Sequence, residues 1–259
     1  MMQAMIFAAG LGTRLKPLTD TLPKALVRVG GQPLLWHVVM RLKESGFTRI
    51  VVNVHHFAGQ IVDYLASNGN FGLDIRVSDE SDALLDTGGG IRKAAPLFDP
   101  DSPILIHNVD ILSNVDLAGL YGKAGDNDAT LLVSRRETSR YLLFNDDMQL
   151  TGWVNTKTGE VKSPYPPKGE LPDVYNSPQH WAGSACFAFS GIHVFSPRLF
   201  PMMAGWPDRF GIIDFYLDVC RTSLVRGCLS GDLRLLDVGK LDSLDKAERF
   251  LASGSYDTI

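Results

Sequence analysis

The sequence predicts an α/β fold in which a mixed, mostly parallel central sheet is flanked by helices. Three observations carry this. Short, nearly continuous apolar runs at residues 4–8, 49–54 and 104–109 read as strands covered on both faces. Between them, apolar residues recur at helical spacing, first Leu34, Leu35, Val38, Val39 and Leu42, then Ile61, Val62 and Leu65. The two kinds of segment alternate at short intervals, as they do where helices connect parallel strands of one layer.

The first strand, 4–8, runs into Gly10-Leu11-Gly12-Thr13-Arg14, a turn whose glycines accept positive φ and let backbone N–H groups approach a ligand closely. Arg14, Lys16 and Lys24 then place three cations in one long loop, a combination that suits a polyphosphate. Two familiar phosphate loops are excluded. Leu15 stands where the dinucleotide pattern G-x-G-x-x-G needs a small residue, and no Gly-Lys-Ser/Thr run follows four spacers. Taken alone, Gly-x-Gly-x-Arg fits a plain strand, tight turn and solvated basic loop equally well.

The first helical pattern carries Arg41, Lys43 and Glu44 on its polar side and stops at Gly46. A strand at 49–54, a helix around 61–65 and an alternating strand with Leu73, Ile75 and Val77 follow. Gly88-Gly89-Gly90 then opens a helix, and reads either as a bare backbone surface for a flat base or ribose, or as a flexible turn. The strand at 104–109 delivers Asp110 at its C-terminal end, the edge where open α/β sheets bind ligands. A carboxylate there suits Mg²⁺, which takes one or two carboxylates plus phosphate oxygens; it also suits a turn cap.

In the second half, 129–134 is a strand, and 141–144 with 148–153 form a hairpin over Asn145-Asp146-Asp147. Residues 155–184 are rich in Pro, Gly, Lys and polar side chains, too short for a domain and too long for an ordinary connection. They read as a lid or interface insertion within one domain spanning 1–259. Residues 187–195 form a strand interrupted at Ser190-Gly191 for close backbone approach. Gly211 opens a helix with Leu217, Val219 and Cys220. Residues 233–236 form the last strand, which delivers Asp237-Val238-Gly239 ahead of a helix with Leu241, Leu244, Ala247, Phe250 and Leu251.

A chain of 259 residues with 45% hydrophobic and 21% charged content can bury a sizeable core. Its net charge of −4 argues against bulk binding to nucleic acid or anionic membrane, while a local basic loop still suits a nucleotide. Cys186, Cys220 and Cys228 form no C-x-x-C pair and read as reduced thiols packed like small hydrophobes. No secretory leader and no apolar run of ~20 residues is present, so the expected location is the cytoplasm. His55-His56 lacks helical zinc spacing, and no G-x-S-x-G elbow occurs.

The stretch AAGLGTRLKPLTDTLPKALVRVGGQPLL, residues 8–35, resembles the activating loop of the sugar-1-phosphate nucleotidyltransferases, or nucleotide-sugar pyrophosphorylases, along nearly all its length. The resemblance implies a single Rossmann-like domain of the nucleotide-diphospho-sugar transferase type, without the C-terminal left-handed β-helix of longer relatives. It implies that Ala8, Ala9, Gly10, Leu11, Gly12 and Thr13 wrap a nucleoside triphosphate, with Arg14 and Lys24 on its phosphates. It further implies that Thr87, Gly88 and Gly89 meet the nucleobase, that Asn108, Ser190 and Gly191 lie near the sugar, and that Asp110 and Asp237 hold Mg²⁺. Arg14, Lys24 and Asp110 would be the catalytic groups. Residues 85–90 look most like the N-acetylmuramate-1-phosphate uridylyltransferases, beside a mannose-1-phosphate guanylyltransferase-like subgroup. The chain departs from the family at Asp86, where Glu is typical, and at Val109, inside the usual Asn-Gly-Asp. It departs again at Leu235 for Trp and Lys240 for Thr. It also lacks a Glu-Lys-Pro motif, leaving Lys157, Lys162 and Lys168 as candidates for the sugar phosphate. The implied reaction is uridylyl transfer to a sugar 1-phosphate, with guanylyl transfer or another triphosphate as the alternative. Outside the enzymes, a nucleotide-sugar sensor fits the same residues.

Overall fold

The computed structural model describes residues 1–165 and 186–253. In chain order the first half comprises β1 (Gln3–Phe7), β2 (Arg28–Val29), β3 (Gln32–Pro33), α1 (Leu34–Glu44), β4 (Arg49–Val54), α2 (Ala58–Ser67), β5 (Asp74–Asp79), α3 (Asp86–Ala94), β6 (Ile104–Asn108), β7 (Ile111–Ser113) and α4 (Leu117–Gly122). The second half adds β8 (Ala129–Ser134), β9 (Arg140–Phe144), β10 (Leu150–Asn155), β11 (Glu160–Lys162), β12 (Cys186–Phe195), α5 (Ile212–Val219), β13 (Val225–Leu229), β14 (Leu235–Asp237) and α6 (Leu244–Ala252).

The sheet has two halves. β6, β1, β4 and β5 lie side by side and parallel, in the α/β arrangement the apolar runs predict. β12 then pairs antiparallel to β6 and carries β9, β10 and β11 on one flank and β8 with β13 on the other. Both faces are covered, and alternate residues of one strand enter different cores. Ala4, Ile6 and Ala8 pack with α1 on one side, while Met5 faces Ile91 of α3 and Phe215 of α5 on the other. Period-two burial on both faces explains why these strands are apolar throughout.

Register decides what meets at the ligand edge. Phe7, the last residue of β1, is paired at once with Asn53 of β4 and Asn108 of β6. The turn after β1, the end of β4 and the end of β6 therefore open on one ledge, as C-terminal strand ends do in open α/β sheets.

The observed elements differ from the expected ones in several places. Strand β7, helix α4 and strand β13 were not foreseen, and the last strand sits at Leu235–Asp237 rather than 233–236. The 155–184 insertion begins as β11, paired antiparallel to β10 through Lys162; its remainder from 166, including Lys168, lies outside the described residues. Among the described residues, no helix is long and apolar enough to cross a membrane.

Candidate active site

The glycine turn is held rigid by its own side chains. Gly12 adopts φ +65, and a Cβ there would stand 2.8 Å from Thr19 Cγ2 and 3.1 Å from Lys24 Cβ. Only glycine combines that backbone with that closeness. Thr19 Oγ1 donates to Gly12 O at 2.8 Å, and Leu15, fully buried, pins the short 3₁₀ turn that presents Arg14 to solvent.

Two acids from distant parts of the chain converge beside this loop. Asp110 follows β6. Asp237 ends β14, which pairs antiparallel with β7, setting Asp237 opposite Ile111. Val238 N donates to Asp110 O at 2.8 Å and locks the two segments together. Lys24 Nζ forms a mostly buried ion pair with Asp110 Oδ2. Arg14 reaches Asp237 across Gly239: a Cβ on that glycine would stand 2.6 Å from Asp237 Oδ1 and 2.9 Å from Arg14 Nη2. Desolvation and then the negative charge of Asp110 raise the Asp237 carboxyl above its ordinary range, while Lys24 and Arg14 oppose the rise. Asp237, disfavoured as an anion by burial and by its neighbour's charge, gains from a nearby cation. Among the described residues no set of three or more His, Cys, Asp or Glu is assembled for a metal. Two carboxylates nevertheless fit a hard divalent ion that completes its shell with phosphate oxygens.

A cavity of about 290 Å³ lies along the ledge, lined by Ala8, Ala9, Gly10, Lys24, Asn108, Val109, Asp110 and Thr87 among others. Val109, where the family pattern has glycine, is buried and bonds through its N–H to Phe7 O at 3.2 Å, so the bulkier residue is accommodated in the core. Asp86 adopts φ +61 while its Oδ1 accepts from Thr87 N at 2.7 Å. A short Asp, which bonds its own backbone, suits the left-handed region better than a long Glu would. Lys240 lies exposed beyond Gly239; nothing in the structure explains it.

Several expected residues are placed differently from what their sequence suggested. The N–H groups of Ala8 and Ala9 both donate to Asn53 Oδ1, at 2.8 and 3.3 Å, so they are not free to cradle a phosphate. Gly88 and Gly89 lie inside α3, fully covered, and both donate to Phe210 O, at 2.8 and 3.3 Å. Their missing side chains make room for the 206–211 segment rather than for a base: a Cβ on Gly88 would fall 2.3 Å from the Phe210 ring, and one on Gly89 2.2 Å from Asp208 O. Arg92 clamps that segment, donating to Met203 O, Trp206 O and Pro207 O and pairing with Asp208 Oδ1 at 3.0 Å. Thr87 stays on the cavity wall, its Oγ1 accepting from Ile212 N at 2.9 Å. Gly191 has φ +74 and sits against Asn108, where a Cβ would fall 2.8 Å from Nδ2. Ser190 is buried, its hydroxyl without a hydrogen-bond partner among the described residues.

Three cavity residues escaped sequence reasoning: Asn53, Glu80 and Arg209. The signal for Asn53 was an amide inside the apolar run RIVVNV. Arg209 is exposed and lies on the segment that Arg92 clamps. Of the lysine candidates, Lys162 lines a second hollow of about 540 Å³ with Arg136, Arg140 and Trp153, held by Asp214 Oδ1 at 2.8 Å.

A glycine turn, two cations and a pair of acids thus gather at the C-terminal ledge of the parallel strands of an α/β protein. Residues 3–254 match the family described as nucleotidyl transferase. The chain is 32% identical over 254 residues to an N-acetylmuramate alpha-1-phosphate uridylyltransferase of Neisseria meningitidis serogroup B, covering 95% of this chain and 97% of that protein. A second uridylyltransferase of that name, from Caulobacter vibrioides, is 44% identical over 109 residues, 41% of this chain and 45% of the relative. In three dimensions the chain is similar to HddC from Yersinia pseudotuberculosis, solved in complex with GMP-PN, with a TM-score of 0.72 and 20% identity over 97% of this chain and 100% of that one. The chain belongs to the nucleotidyl transferase family.

Proposed function

We propose that this chain transfers a uridylyl group from UTP to a sugar 1-phosphate, N-acetylmuramate 1-phosphate being the favoured acceptor. One observation carries the reading: Asp110 and Asp237 converge beside Lys24 and Arg14 at the end of the cavity. The names of the two bacterial relatives support the base and the sugar. A phosphate oxygen of the sugar 1-phosphate attacks the α-phosphorus of the triphosphate, one new P–O bond forms, and the bond to the β-phosphate oxygen breaks to release pyrophosphate. No covalent enzyme intermediate is needed, so the protein contributes position and electrostatics. Lys24 and Arg14 offset charge on the phosphates. Asp110 and Asp237 would hold Mg²⁺, which would supply electrostatic stabilisation of the charge that develops on the phosphates. The chain acts as a single catalytic domain in the cytoplasm.

Pyrophosphate release measured across UTP, GTP, CTP and dTTP with a panel of sugar 1-phosphates tests this. The expected result is highest kcat/KM with UTP and N-acetylmuramate 1-phosphate. Preference for GTP with mannose 1-phosphate would overturn the substrate, and nucleotide binding without any turnover would make the chain a sensor.

A further inference from the structure

Asn53 and Glu80 lie in the cavity wall, yet no step of the reaction needs them. Both are buried, Asn53 to 3% exposure and Glu80 to 0%, and an amide and a carboxylate so placed require complete sets of partners. Each of their four side-chain polar atoms has a partner, and the partners are informative. Asn53 Oδ1 accepts both Ala8 N–H and Ala9 N–H, while Asn53 Nδ2 donates to Glu80 Oε1 at 2.7 Å. Glu80 Oε2 in turn accepts Leu85 N–H at 3.2 Å. The amide has one orientation that works, because two backbone donors need its oxygen and a carboxylate needs its nitrogen. The Glu80 backbone is fixed as well: its N–H donates to Val54 O at 2.8 Å, and its carbonyl accepts from Ala83 N at 3.0 Å and lies 2.7 Å from His55 Nδ1. Helix α3 closes over the pair at Gly90, where a Cβ would stand 2.8 Å from Glu80 Oε1 and 3.2 Å from Asn53 Nδ2.

These bonds form one continuous path, from Ala8 and Ala9 through Asn53 and Glu80 to Leu85. Its two ends are the two walls of the cavity, the glycine turn on one side and the segment leading to Asp86 and Thr87 on the other. We propose that Asn53 and Glu80 are positioning residues that set the separation of these walls and thereby the affinity for the nucleoside triphosphate. This rests on the reading of the cavity as the nucleotide site. Neither side chain is asked to touch substrate; each acts through the backbone it holds.

Charge reversal within the pair tests it. Asn53→Asp keeps the acceptor for Ala8 and Ala9 but sets a carboxylate against Glu80. Glu80→Gln turns an NH₂ toward a group that also donates. The double variant N53D/E80Q rebuilds every bond with the polarity of the central one inverted and the net charge of the pair kept. Leaving one buried polar group unsatisfied corresponds to about 10–100-fold in a binding constant. Each single variant should therefore raise the triphosphate KM by about that factor, with the sugar-phosphate KM and kcat changed far less. The double variant should recover most of the loss. Asn53→Ser, which removes the arm to Glu80 without adding charge, replaces Asn53→Asp if that variant does not fold, with the same KM split expected. Singles that lower the thermal midpoint while leaving the triphosphate KM unmoved would overturn the proposal. A rise in both KM values together, or a double variant no better than the singles, would do so too. A parent chain that turns over no triphosphate refutes the nucleotide reading itself, whereas an active parent with unmoved KM values in the variants refutes only the role of the pair.

Discussion

Gly89→Ala sets two rules against each other. Replacing glycine by alanine within a helix ordinarily stabilises by about 1 kcal/mol. In α3, however, the new Cβ would stand 2.2 Å from Asp208 O, a backbone atom, and 3.0 Å from Leu85 Cβ. Carbon–oxygen contacts settle at about 3.3 Å or more, so the 206–211 segment or the helix must retreat by about 1 Å. Such overpacking costs about 1–3 kcal/mol. The retreat also loosens the bonds from Gly88 and Gly89 N–H to Phe210 O, at about 1 kcal/mol each. Sterics therefore win, and the expected net loss is about 2 kcal/mol, or about 4–8 °C in thermal midpoint for a chain of this size. Gly59→Ala is the matched control: it lies in α2 with nothing within 4 Å of its Cβ, and should raise the midpoint by a small amount. Thermal unfolding followed by circular dichroism compares the two variants. A Gly89→Ala midpoint at or above that of the parent would refute the seat assigned to the 206–211 segment.

The acids, the buried histidines and the cavity arginine supply further expectations. Asp110→Asn and Asp237→Asn should each lower kcat by about 10²–10³-fold; cooperative unfolding should persist, and near-parental turnover by either variant would remove it from the site. His107 and His193 are buried, which lowers their pKa values from 6.5 to about 4 and about 3. Their unfolded forms therefore take up protons first, and stability should fall as pH drops below about 6.5, by about 2 kcal/mol for each by pH 5. Both ring nitrogens of His193 lack hydrogen-bond partners among the described residues, so His193→Phe should flatten that slope in urea unfolding between pH 7 and 5, and an unchanged slope would contradict it. Arg209→Ala should raise the KM of a phosphorylated substrate by about tenfold or more; unmoved values for both substrates would take Arg209 out of the cavity's function.

The parallel centre of the fold was legible because β1, β4 and β6 are apolar on both faces and need no partner to be recognised. Each acid was legible singly, at the end of an apolar strand, whereas their coming together was implied only by the resemblance to the family. What the sequence hid was short or mixed. Strand β13, Val-Arg-Gly-Cys-Leu, interleaves a charge and a glycine, and α4 offers less than two turns of periodicity. The pairing partner fixes each of these elements, and the partner is remote in sequence. The glycine triplet shows a different limit. That three glycines meant close approach was readable, but what approaches was not: it is the chain's own Asp208–Phe210 segment and the Asn53–Glu80 pair. Asn53 and Glu80 likewise gain their meaning from register alone.

The ribbon of β7 and β14 has a consequence for how the site is completed. Asp110 takes its place when β6 docks on β1, but the second acid arrives with the last strand described. Helix α6 then ties the arrangement back to the beginning, with Glu248 Oε1 accepting Gly30 N–H at 2.8 Å and Leu251 lying against the same glycine. The corner that holds both acids is therefore completed only when residues close to the two ends of the described chain meet, so a change near residues 248–251 is felt at the loop after β1.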